Sequence, residues 1–114
     1  MILKNLCRPS LNSDYTGQQS FDICSDVAKE LAELYETTPE KMLSKLRNRW
    51  PTMARQMSMY VLDKLGIQRT YITWFFNRDR TTLYNSLKCA QNTIDLDSRV
   101  GDTINNIITK YKND

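Results

Sequence analysis

Asn77-Arg78-Asp79-Arg80-Thr81-Thr82-Leu83-Tyr84 is the stretch on which the reading of this chain turns. Aspartate is among the strongest N-cap residues, so a helix is predicted to open at Asp79 with Arg80, Thr81 and Thr82 in its first turn. Backbone N–H groups without intrahelical partners and the positive end of the helix dipole face outward there, an arrangement that attracts phosphate. Set into a major groove, each side chain has a partner. Arg80 can donate to guanine O6 and N7, Asp79 can accept from cytosine N4, and Thr81 can meet a thymine methyl group. The same pattern also describes an ordinary capped surface helix, and spacing alone leaves both readings open.

Working outward, the apolar cluster Tyr71-Ile72-Thr73-Trp74-Phe75-Phe76 reads as a short helix just before this turn. Its aromatic residues are expected mainly in the core. Beyond the turn, Leu83, Leu87, Ala90 and Ile94 point inward on a helix from about Arg80 to Thr93. A last helix, from about Ser98 to Tyr111, buries Val100, Ile104, Ile107, Ile108 and Tyr111. Upstream, Ala54, Met57, Val61 and Leu65, widened by Met53 and Tyr60, form the stripe of a helix that starts at Pro51 or Thr52 and closes at Gly66. Thr38 caps a shorter helix that has Pro39 in its first turn and reaches about Leu46. From Phe21, the spacing of Cys24, Val27, Ala28, Leu31, Leu34 and Tyr35 marks an amphipathic helix, while residues 1–18 read as a polar arm. The expected architecture is all-α: a compact bundle of about six helices in one domain, residues 19–114, containing a helix-turn-helix.

The 114 residues suit one modest core. No run of the length a membrane span needs is present and the opening is too interrupted for a signal peptide, so the expectation is a cytoplasmic, nucleoid-associated protein. Histidine is absent, and Cys7, Cys24 and Cys89 are widely spaced. The usual zinc spacings, a disulfide framework and the commonest general base are all missing, so neither a cofactor, a metal nor enzymatic activity is expected. Net charge is only +3, but Lys41 to Lys88 holds ten basic residues against Asp63 and Asp79, a local charge of +8. Singly, each of these is an ordinary solvated charge. Together they form the footprint expected of a polyanion partner.

Ala54-Arg55-Gln56-Met57-Ser58-Met59-Tyr60, followed by Phe76-Asn77-Arg78-Asp79-Arg80-Thr81-Thr82-Leu83, resembles the signature of the C-terminal domain of the bacterial replication initiator DnaA. The likeness runs from about Ser25 to Tyr111. It implies a Trp-repressor-like helical bundle whose helix-turn-helix binds a short asymmetric box in double-stranded DNA. By position, Asp79, Arg80 and Thr81 resemble the base-reading residues, and Arg47 falls where the family places an arginine in the minor groove. Arg78 and Thr82 resemble their phosphate- or base-contacting neighbours, while Arg49, Arg55, Lys45, Lys64 and Arg69 complete the basic, phosphate-facing set. Arg55 can equally bridge to a neighbouring helix. Arg80 stands where the family has histidine, Asn77 replaces a glycine pair with one residue fewer, and Thr73 replaces a glycine, so an altered box is implied.

No Gly-x-x-x-x-Gly-Lys-Ser/Thr occurs in these residues, so the resemblance is to a box reader without the initiator's ATPase. Such a module would regulate or compete in replication initiation or transcription, with a replication initiator or another replication protein as a further partner. The alternative is a protein-interaction adaptor that kept the fold and lost specific DNA binding.

Overall fold

The computed structural model describes residues 17–44 and 48–112, and among them six helices follow one another with no strand. They are α1 (Gly17–Leu34), α2 (Pro39–Leu43), α3 (Arg49–Lys64), α4 (Arg69–Phe76), α5 (Arg80–Leu96) and α6 (Ser98–Lys112). Helix α3 runs through the middle and packs against each of the other five. The expected stripe on α3 is therefore too narrow: Met59 and Leu62, outside it, are fully buried, and so is Ser58. Ser58 satisfies its hydroxyl within the helix by donating to the Ala54 carbonyl at 2.7 Å.

Two boundaries differ from those predicted. Helix α1 starts at Gly17, four residues before Phe21, with Ser20 already buried. Helix α3 starts at Arg49, ahead of Pro51, and its first turn closes with Thr52 N–H donating to the Asn48 carbonyl at 3.0 Å. Pro51 is tolerated because the N–H it lacks is one that a first helical turn leaves unpaired. Helix α2 ends at Leu43, with Ser44 already extended (ψ 168°), short of the predicted Leu46; residues 45–47 lie outside the described residues, as do Cys7 and most of the arm. Leu34, expected to point inward, is 45% exposed, while Leu31 and Ala32 in the same last turn of α1 are buried.

Three helices end in the same way. The chain turns through one left-handed residue, Glu36 (φ 55°), Gly66 (φ 90°) or Asn77 (φ 53°). The next N–H then donates back five residues: Thr37 to Ala32 at 2.8 Å, Ile67 to Leu62 at 3.1 Å, and Arg78 to Thr73 at 3.0 Å. Glycine suits this Schellman closure because it has no Cβ to clash with the carbonyl. Replacing Glu36 with glycine is therefore expected to raise stability by about 1 kcal/mol, and Gly66→Ala to lower it by about 1 kcal/mol, both measured by urea unfolding. Equal midpoints for both variants and the parent would remove the left-handed turns from the account.

Burial also separates the thiols. Cys24 lies in the core and desolvation pushes its pKa up to about 12, while Cys89 is exposed on α5. The thiolate is the nucleophile, so in a Cys7→Ser background iodoacetamide at pH 8 is expected to alkylate Cys89 and to spare Cys24 until the chain unfolds. Mass mapping that finds Cys24 modified at the same rate would contradict the packing of α1.

Candidate nucleic-acid interface

Helices α4 and α5 are joined by Asn77, Arg78 and Asp79 alone, which sets the start of α5 as a short-turn partner to α4. The capping expected of Asp79 is present: its Oδ1 accepts from the Thr82 N–H at 2.7 Å. That bond uses one of several carboxylate acceptor positions and fixes the orientation of the first turn. Arg80 and Thr81 are exposed on that turn, and Thr82 is half-buried beside them. Below them Leu83 is buried, so the turn stands on the core.

Arg78 does something the sequence reading did not assign to it. Its Nη1 donates to the carbonyls of Phe76 at 2.8 Å and Asn77 at 3.2 Å, and its Nη2 donates to the carbonyl of Ser44 at 2.6 Å. One guanidinium thus joins the C-terminal ends of α4 and α2, both of which carry unpaired carbonyls and the negative end of a helix dipole. Arg55 acts on the same corner. It is 9% exposed and donates through Nη1 to the Met42 carbonyl at 3.3 Å. Burial, and then the nearby charge of Arg78, pull its pKa below the usual arginine value. Its Nε has no partner among the described residues. Arg78 was expected to face phosphate or bases, and Arg55 either phosphate or a neighbouring helix, the second of which is observed. Both are committed to the protein's own carbonyls, because α2 and α4 bring those acceptors within reach of them.

The consequence is positional. Ser44, immediately before residues 45–47, is fastened to the residue before Asp79, so the chain that leads into that segment ends beside the turn between α4 and α5. Arg47 and Lys45 themselves lie outside the described residues. On the far side of that segment Arg49 is exposed, with its guanidinium 4.9 Å from the centre of the Trp50 ring. Trp50 stacks in turn on Tyr35 at 6.4 Å, which pins the start of α3 to the end of α1. Such cation–π and aromatic contacts restrict the side chains without using their polar donors.

Arg69 is placed at the other side of the turn. Its Nε pairs with Asp63 at 3.1 Å, and its side chain lines a hollow shared with Arg80, Leu83 and Tyr84. Lys64 lies at the end of α3 opposite to Arg49, its ammonium 5.4 Å from the Tyr60 ring centre. One exposed aromatic residue, Tyr84, went unassigned in the sequence, and another, Trp74, lies elsewhere than expected. Tyr84 is 56% exposed and carries the Lys88 ammonium 5.3 Å from its ring centre; its signal was the four-residue step from Arg80, which puts both on one helix face. Trp74, expected in the core, is 67% exposed. Ile72 and Phe76 take the inward face of α4, and a residue two positions from each is turned to solvent.

The chain matches the family described as bacterial DnaA protein helix-turn-helix over residues 24–89, a span that runs from α1 through the reading turn into α5. It is 28% identical over 79 residues to the chromosomal replication initiator protein DnaA 1 of Chlamydia muridarum (strain MoPn / Nigg). That alignment covers 68% of this chain and 17% of the relative, so the chain spans a small part of that protein's length. No solved structure matches.

Proposed function

We propose that this chain, which belongs to the bacterial DnaA helix-turn-helix family, is a sequence-specific reader of double-stranded DNA. A helix-turn-helix of this family is a DNA-binding module and is not itself catalytic. In the proposed complex the first turn of α5 enters the major groove, where Asp79, Arg80 and Thr81 read base edges, and Arg47 enters the adjacent minor groove. Thr82, Arg49, Lys45, Lys64 and Arg69 contact phosphates and set the register. Arg78 and Arg55 hold the two halves of the site together from behind. The observation that supports this reading is the 2.6 Å bond from Arg78 to Ser44, the residue before 45–47, at the turn that leads into the exposed Arg80 and Thr81. In the cell, such a reader would regulate or compete in replication initiation or transcription, alone or with a replication initiator.

Selection from a pool of random duplexes tests this directly. One enriched, asymmetric motif is expected, and Arg80→Ala should relax choice at one or two of its base pairs, at roughly 1–3 kcal/mol for the pair it reads. With Lys45, Arg49, Lys64 and Arg69 on phosphates, log affinity should fall against log salt with a slope of about −4. Recovery of no motif, together with a slope near zero, would sink this reading. It would favour instead a protein adaptor using the outward aromatic side chain of Trp74.

A further inference from the structure

The hollow between the start of α4 and the first two turns of α5 has a volume of about 350 Å³ and is lined by Arg69, Arg80, Leu83 and Tyr84. Arg69 and Arg80 both line it beside the buried Leu83, and no carboxylate is among these lining residues. Asp63 holds Arg69 through Nε, which leaves the two Nη groups to donate elsewhere. A hollow lined by positive charge and no negative charge favours an anion. Tyr84 contributes a neutral donor at the same place. Lys88 lies over its ring and keeps a further positive charge one turn along.

We infer that this hollow seats a backbone phosphodiester of the bound duplex, gripped by the Nη groups of Arg69 and the hydroxyl of Tyr84. The inference rests on the duplex-binding reading above and adds a contact to it. Arg80 and Tyr84 are one helical turn apart on the same face of α5, so a phosphate held at Tyr84 lies on the groove wall beside the base pair that Arg80 reads. The grip thereby fixes how deep the reading turn enters, and it does so without regard to base sequence.

The test compares the parent, Tyr84→Phe and Arg69→Gln on a mixed-sequence duplex and on the selected duplex, across a range of salt. Tyr84 is exposed, so losing its hydroxyl leaves the fold intact, which circular dichroism checks. Tyr84→Phe is expected to weaken binding to both duplexes by about tenfold, the loss of one hydrogen bond to a charged group. Its salt slope should not change, because a neutral hydroxyl displaces no counterion. Arg69→Gln is expected to weaken both and to reduce the slope by about 0.9. A scan of single methylphosphonates should reveal one position at which parent and Tyr84→Phe bind equally. Equal affinity of parent and Tyr84→Phe on both duplexes overturns the inference, and so does a loss confined to one base pair of the selected duplex. If the parent prefers no sequence yet the Tyr84→Phe loss persists, base reading falls and the phosphate seat stands. If the parent binds no duplex, both fall.

Discussion

Arg78→Ala is expected to weaken binding to the selected duplex by about ten- to a hundredfold, and to lower stability by roughly 2 kcal/mol. The guanidinium donates to three carbonyls at the ends of two helices, and a hydrogen bond from a charged donor contributes about 1.5–3 kcal/mol net, so the expected loss corresponds to about one such bond at this partly exposed site. Without that guanidinium Ser44 is no longer held against the turn between α4 and α5. Fixing the backbone there again falls on the binding step, at about 1–2 kcal/mol for each residue fixed. Arg78→Lys should restore less than half of the loss, because a single ammonium cannot fork between the carbonyls of α2 and α4. Two measurements decide the matter, the melting temperature and the salt slope. A strut predicts a lower melting temperature with the slope unchanged. An unchanged melting temperature with the slope reduced by about 0.9 would return Arg78 to direct phosphate contact. The coupling is also visible as non-additivity: in the Arg78→Ala background, Arg47→Ala should cost less than it does in the parent.

Phe76→Ala is expected to have the largest effect on the fold, roughly 3–5 kcal/mol. Phe76 is fully buried, meets Phe75 edge to face at 5.0 Å, and is the last residue of α4. A domain of this size has only about 5–15 kcal/mol of stability in all, so the variant should be unfolded or nearly so at growth temperature. Because its carbonyl is also an acceptor of Arg78, loosening the ring releases the same turn that presents Arg80. Phe76→Leu, which refills most of the space, should cost less than half as much and keep DNA binding. A urea midpoint for Phe76→Ala within experimental error of the parent would mean that the α4–α5 junction does not rest on the core.

These expectations differ in how much of them could be read from residues alone. The caps at Thr38 and Asp79 and the closure at Gly66 were legible, and each is observed. So were the six helices, because the apolar spacing of α1, α5 and α6 repeats over several turns. The left-handed turns at Glu36 and Asn77 were not legible, since neither residue favours them as glycine does; packing on both sides holds them. The direction taken by the arginines was equally hidden. Arg78 sits in a run of basic residues and looks no different there from Arg80 or Arg49, and for Arg55 the residues alone left a helix bridge and a phosphate contact equally open.

What the residues by themselves determined, then, was where helices start and stop, which follows from contacts within four or five positions along the chain. Which charges meet solvent and which hold the framework was decided only in three dimensions. An arginine side chain is long enough to reach water or a carbonyl, and the acceptor that settles the choice for Arg78 arrives from Ser44, 34 residues away. No local preference encodes that distance; the packing of α2 and α4 around α3 does.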